Sequence, residues 1–173
     1  AASGALASPT GCLPLTAAVR SELESGGIEI VRITLHVGLG TFTPIRSDKV
    51  EEHEMHRESF HISEESASRV NAAKDEGRPV YAVGTTSVRT LESAWDDSSG
   101  LLPAGSGETD LFIYPGYRFS VVDGLMTNFH TPKSSLLVLV SAFAGKELID
   151  RAYRSAVEER YRFFSYGDAM LIQ

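Results

Sequence analysis

The sequence predicts an α/β fold, specifically a layered α/β/α sandwich with a mainly parallel sheet. Two observations lead there. Short runs of apolar and β-branched residues alternate along the chain with stretches of helical periodicity, the order that builds strand–helix–strand units. The composition agrees: 173 residues, 42% hydrophobic and 23% charged, suit one globular domain of ordinary size. Residues 1–173 are therefore read as a single α/β domain.

Each element has a local cause. Thr16 caps a short helix running to about Ser25, stopped by Gly26 and Gly27. Ile28 to Val37 is rich in β-branched residues and alternates imperfectly, so it reads as a buried strand. Ser63 followed by Glu64 and Glu65 starts a helix with acids at the positive end of its dipole, and Gly77 ends it. Pro79 to Val83 is a short apolar strand, and the GTTS that follows turns into a helix carrying Val88, Leu91 and Trp95. Asp96 to Gly107, rich in Gly, Ser and Asp, reads as a loop within the domain. Leu111 to Tyr114 and Leu125 to Phe129 are strand candidates. Pro132 introduces an apolar helix from Ser134 to about Ala144, and Ile149, Tyr153, Ala156, Val157 and Arg160 share a face of the next. Asp168 to Ile172 reads as a terminal strand.

Charge and cysteine usage narrow the function. Sixteen Lys and Arg against 23 Asp and Glu leave a net charge of −7. That disfavours a domain whose whole surface grips nucleic acid or an anionic membrane, while allowing a local basic patch. One cysteine, Cys12, rules out an internal disulfide and a Cys-rich zinc site, and fits a reduced, cytoplasmic setting. The most apolar run, Leu136 to Val140 extended to Gly145, is far short of the roughly 20 residues a spanning helix needs, so no membrane role is expected. Residues 1–8 lack the basic and apolar regions of a secretion signal and read like a chain entered midway through something larger.

Polar residues gather where the predicted strands end, which is where open α/β sheets bind ligands. In HVGLGT (36–41), Gly38 and Gly40 let the backbone approach a ligand closely and Thr41 adds a hydroxyl; a plain tight turn is the alternative. In VGTTSVR (83–89), Gly84 leaves a strand, and Thr85, Thr86 and Ser87 open a helix whose free N–H groups suit an anion or carboxylate. Simple N-capping by Thr86 or Ser87 is the alternative there. Arg89 sits near the positive end of that helix, where a cation needs an anionic ligand or partner. His53, His56 and Glu58 form one polar cluster and Asn128 with His130 another; the HExMH spacing departs from the HExxH zinc pattern, so no metal site is expected. His130 and His36 are the candidates for general acid–base work. In the tail, Arg160 to Asp168 mixes arginines with aromatics. It reads either as a base-stacking surface or as a helix end packing Phe163 and Phe164, with Tyr166 and Asp168 the pair set to face a site.

Taken together, six strings resemble one family: LHVGLGTFTPI (35–45), EEHEMH (51–56), VYAVGTTSVRTLES (80–93), TDLFIYPGYRFSVVDGLMTNFH (109–130), LLVLVSAFAG (136–145) and YRFFSYGDAMLI (161–172). The family is the S-adenosylmethionine:tRNA ribosyltransferase-isomerases, and the resemblance spans nearly the whole chain in order. It implies use of S-adenosylmethionine as a ribosyl donor. The ribosyl unit passes to 7-aminomethyl-7-deazaguanine in tRNA, giving epoxyqueuosine in queuosine biosynthesis and releasing adenine and methionine. The sulfonium acidifies the C5′ protons, so a base can form an ylide; adenine is expelled, the acceptor's amine attacks the sugar, and rearrangement displaces methionine. The donor is a substrate, and the resemblance implies neither metal nor redox cofactor.

This sequence departs from the family in two ways. The family is about twice as long and carries a β-barrel domain on the N-terminal side, so this chain resembles the C-terminal portion of its α/β domain. Missing strands would leave an unpaired sheet edge, which favours self-association or a partner chain. The family pattern PTAGLHF meets PTGCLPL (9–15) here, so Pro14 stands where a histidine is expected and can neither hold nor transfer a proton. That departure keeps open a non-catalytic relative binding a nucleotide or protein partner, or an enzyme modifying a small amine instead of tRNA. Any tRNA contact is expected at a local patch of Arg118, Lys133, Arg160 and Arg162, flanked by Tyr117, Phe119 and Tyr161.

Overall fold

The computed structural model describes residues 15–38 and 50–173. Its elements run in the order α1 (Ala17–Ser25), β1 (Thr34–Leu35), β2 (Glu58–Ile62), α2 (Glu64–Asp75), β3 (Tyr81–Val83), α3 (Thr85–Ala94), β4 (Gly105–Thr109), β5 (Gly124–Asn128), α4 (Ser135–Ala144), α5 (Lys146–Glu158) and β6 (Ala169–Ile172), with short 3₁₀ turns at Val50–Glu52 and Phe164–Tyr166. Helix starts follow the capping residues. The hydroxyls of Thr16, Ser63 and Ser134 accept the N–H groups of Val19, Ser66 and Leu137.

The described strands form two small sheets of a mixed α/β fold, ordered β1-β2-β4 and β3-β5-β6. The expectation of a mainly parallel sheet is corrected among the described residues. Only β3 and β5 run parallel, with Val83 opposite Met126, while β1–β2, β2–β4 and β5–β6 are antiparallel. Two strands are hidden in the sequence, β4 by its glycines and β2 by its polar residues. Gly105 to Gly107 fall in the expected 96–107 loop, yet GSGET pairs with β2 along all five residues, and the Phe60 ring lies over Gly107 where a Cβ would meet it at 2.6 Å. In β2, Glu58 and Ile62 are buried while Ser59 and His61 face out, a half-buried alternation hidden by its polar residues.

Two predicted strands shrink or disappear for a common reason: their backbone groups are taken elsewhere. Ile28 to Val37 keeps only Thr34–Leu35, and the Arg32 carbonyl accepts the Ser66 hydroxyl at 2.7 Å. Leu111 to Tyr114 is not a strand. The Leu111 N–H donates to Thr109 Oγ1, and the Leu111 carbonyl accepts Arg89 Nε. Ile113 is nonetheless buried, so the run's apolar character is spent on packing.

One core joins the two sheets: Ile62, Val88, Leu91, Leu102, Ile113, Val121, Leu125, Leu139, Val140 and Ile149 pack together. Polar side chains close its edges. Asn71 mimics a strand partner, donating from Nδ2 to the Leu102 carbonyl at 3.0 Å and accepting the Leu102 N–H at 2.7 Å. Glu92, buried on α3, gathers the backbone N–H groups of Ser120, Val121 and Val122 at 2.8–3.0 Å and so fixes the chain entering β5. Removing that carboxylate strands three donors in the interior. Glu92→Ala is expected to destabilise by about 3–5 kcal/mol and Glu92→Gln by less, since an amide keeps one acceptor. Urea unfolding of the two variants beside the parent measures this, and a loss below 1 kcal/mol for the alanine variant would overturn it.

Candidate active site

The parallel register of β3 and β5 sets the geometry. Both strands end on the same side, and the Gly84 N–H donates to the Met126 carbonyl at 2.8 Å, extending the pairing one step. The chain then turns into α3 at φ 87° for Gly84, a left-handed conformation that glycine adopts without a Cβ penalty. No side chain caps this helix. The Ser87 hydroxyl turns back to the Val83 carbonyl at 2.8 Å, and Thr90 Oγ1 bonds the Thr86 carbonyl. The capping alternative for Thr86 and Ser87 therefore does not describe this turn. Thr85 is buried and Thr86 half-buried at this helix start.

At that end of β5, Thr127 and Asn128 are buried. The Asn128 amide donates to the Asp168 carbonyl at 3.3 Å, which places the start of β6 alongside. The Asp168 carboxylate is engaged by Arg162, through its backbone N–H, Nε and Nη2, and those hydrogen bonds hold its pKa below the usual carboxylate range. Tyr166, by contrast, is 74% exposed. Phe163 packs on Phe129 and Tyr153, while Phe164 sits at φ 56° and is largely exposed. Only one of the two phenylalanines thus enters the core, and the turn that carries the other is anchored by the Phe164 N–H on the Phe129 carbonyl at 3.0 Å.

His130 follows β5 by two residues and is buried. Its Nε2 lies 3.0 Å from Thr127 Oγ1, and its backbone N–H donates to the Tyr153 hydroxyl at 2.8 Å. Burial pushes its pKa down to about 4, so the ring is neutral at pH 7. Burial also raises the Tyr153 hydroxyl to about 12.

A second group of the predicted residues lies on β1 and β2. His36, half-buried just past β1, continues the ladder through its backbone N–H to the Ser59 carbonyl at 2.8 Å. Gly38 donates its N–H to Glu58 Oε1 at 2.9 Å, and Glu58 Oε2 accepts Arg89 Nη1 at 2.5 Å. The anion expected near Arg89 is thus supplied by the chain itself. Gly40 and Thr41 of the Gly-rich turn, and Pro14 upstream, lie outside the described residues.

The histidine cluster disperses. The His53 ring packs edge-on against Phe112, His56 is exposed, and Glu58 turns to Arg89. His61 bonds Ser106 across an exposed sheet face. In the basic patch, Arg118, Lys133, Arg160 and Arg162 are exposed, but Tyr117 and Phe119 pack together and Phe119 against Phe143. Sequence reasoning missed Glu58 as the partner of Arg89, and Thr127 and Tyr153 as the partners of His130. A signal for the first was present: Arg89 falls among Val88, Leu91 and other core positions of α3, and a cation there requires a buried anion.

The depressed His130 pKa has a thermodynamic consequence. Below the ordinary histidine value of 6.5 the unfolded chain binds a proton that the folded chain refuses until about pH 4. Stability is therefore full above pH 6.5 and falls as pH drops toward 4, by roughly 3 kcal/mol in all. Asp96 and Asp168 lose their contributions only at lower pH, since both are depressed from 3.8. Urea unfolding between pH 7 and 4.5 is expected to show the decline in the parent and a flatter profile in His130→Gln; parallel profiles would show that burial of this imidazole is not its cause.

Comparison with known proteins identifies the family. A family model described as queuosine biosynthesis protein matches residues 1–172. An S-adenosylmethionine:tRNA ribosyltransferase-isomerase of Treponema denticola is 60% identical over 169 residues, covering 98% of this chain and 49% of the relative. One of the same name from Natranaerobius thermophilus is 57% identical over 171 residues, covering 99% and 50%. The crystal structure of the S-adenosylmethionine tRNA ribosyltransferase of Thermotoga maritima superposes with a TM-score of 0.71 at 40% identity, over 91% of this chain and 49% of that one. The chain thus spans about half the length of the curated relatives it matches. By sequence along its whole length and by fold, it belongs to the queuosine biosynthesis protein family.

Proposed function

We propose that this chain forms the α/β part of an enzyme that transfers and isomerises the ribosyl moiety of S-adenosylmethionine to 7-aminomethyl-7-deazaguanine in tRNA, giving epoxyqueuosine. The observation that carries the reading is the uncapped start of α3 beside buried Asn128 and neutral His130, in a chain matched throughout by the family. The N–H groups at Thr85 and Thr86 receive the donor's carboxylate, with Gly84 setting the turn and Ser87 on the same turn. Gly38 brings its backbone toward the sugar, and Arg89 ties α3 to that strand end. Asn128, Tyr166 and Asp168 line the far side.

In this reading His130 handles the proton. Its neutral ring is the form a general base requires, and Thr127 fixes the ring's orientation. His36 is the second candidate, at the opposite wall. Removal of a C5′ proton beside the sulfonium gives an ylide, whose electron pair drives expulsion of adenine. The acceptor's amine then attacks the sugar, and ring rearrangement releases methionine. The family's β-barrel lies outside this chain and closes the remaining side, with the present residues forming one α/β domain of a cytoplasmic protein. Self-association or a partner chain covers any sheet edge left open. Among the described residues no helix is long and apolar enough to cross a membrane.

The test is adenine release from S-adenosylmethionine by the intact protein in the presence of tRNA bearing the modified base. His130→Ala is expected to lower turnover by about 10² to 10⁴-fold. Unchanged turnover removes His130 from the mechanism. Pro14, where the family pattern has histidine, favours a second reading in which the protein binds the donor without turning it over. Calorimetric binding of S-adenosylmethionine with no adenine released by the intact protein would select it. With a net charge of −7, the 173-residue chain by itself is expected to bind tRNA weakly. A filter-binding titration that shows tight, strongly salt-dependent retention would reverse that expectation.

A further inference from the structure

We infer that Glu58 is a positioning residue for the donor site, holding the Gly38 end of the Gly-rich turn and the Arg89 side chain of α3 in one fixed relation. The inference rests on the reading above, in which those two segments contact S-adenosylmethionine. Glu58 opens β2, whose antiparallel ladder to Thr109 and beyond needs no charge. Its side chain is nevertheless fully covered, and its two oxygens serve elements of different sheets. Oε1 takes the Gly38 N–H from the strand end after β1, and Oε2 takes Arg89 Nη1 from the helix after β3. Arg89 extends the link through Nε to the Leu111 carbonyl at 3.1 Å. One carboxylate therefore sets how far Gly38 stands from Arg89 on α3.

The same cluster is poorly explained as a device for stability. Arg89 Nη2 is buried and finds no hydrogen-bond partner. An unmatched buried donor destabilises, and a buried ion pair returns little net stability once both charges have been desolvated. What the pair does supply is direction. A carboxylate accepting from fixed donors has few alternative positions, so Gly38 cannot drift from the helix without breaking a charged hydrogen bond. Because Glu58 and Arg89 are each only 2% exposed, Glu58 acts through Gly38 and Arg89 and does not itself reach the donor.

The experiment compares the intact parent with Glu58→Gln, Arg89→Met and the double variant, reading melting temperature, the KM values for S-adenosylmethionine and for tRNA, and amide exchange at Gly38. Glu58→Gln is expected to raise KM for S-adenosylmethionine at least tenfold, leave KM for tRNA within twofold, and speed Gly38 exchange at least tenfold with Thr127 unchanged. The double variant, freed of the unpaired charge, is expected to regain the parent's melting temperature while keeping the raised KM. Return of that KM to within twofold of the parent in the double variant would show that Glu58 only neutralises Arg89. Equal rises in both KM values would likewise overturn the inference. If the parent releases no adenine, the functional reading fails by itself; Gly38 exchange then decides the positioning role, with tenfold acceleration supporting it and an unchanged rate refuting it.

Discussion

Helix α3 is held by two buried charges three residues apart, and the rest of the structure is arranged around them. Arg89 reaches Glu58 on β2 and the Leu111 carbonyl, tying α3 to the antiparallel sheet. Glu92 gathers the N–H groups of residues 120–122, tying the same helix to the entrance of β5. Because α3 begins where β3 ends, these links also decide where its open N-terminus points. Charged groups in an interior tolerate few arrangements, since each lost partner leaves a desolvated charge uncompensated. Apolar packing alone, being non-directional, would not hold the helix start to one place beside Asn128.

That constraint fixes the short parallel pair and the candidate site at its end. β3 and β5 are paired over only three residues, yet both end on one side, and α3 starts there after Gly84 without a side-chain cap. The neighbouring polar side chains are fixed by tertiary contacts, His130 through Thr127 and Tyr153 and Asn128 through Asp168. Phe129, buried between them, makes ring contacts with Tyr153, Tyr161 and Phe163, an aromatic cluster contributed by the residue after β5, by α5 and by the tail. Rigid support of this kind holds a buried side chain to one orientation.

Much of the helical architecture was readable from single residues. Thr16, Ser63 and Ser134 each mark a helix start, and each does cap one, because a hydroxyl bonding a nearby N–H needs only local chain geometry. The site's backbone features were readable for the same reason, as with Gly84 before a run of hydroxyls. The strands fared worse. Residues 105–109 resemble a loop until Phe60 covers Gly107, and residues 111–114 resemble a strand until Arg89 and Thr109 take their backbone groups. Pairing is a long-range choice, and propensity weighs little against it.

By itself, the sequence determined the helices, the caps at Thr16, Ser63 and Ser134, the family to which the chain belongs, and the residue types at the candidate site: glycines at turns, hydroxyls at a helix start, an arginine that required an anion, and histidines near strand ends. Each of these is set by neighbours within a few positions or by an ordered string of motifs. Only the tertiary structure decided that the anion for Arg89 is Glu58, 31 residues away, that His53 and His56 do not converge with it, and that His130 is buried and neutral. The reason is physical. A hydrogen-bond partner or a desolvation cost depends on which surfaces the packed core closes, and no local stretch of chain contains that information.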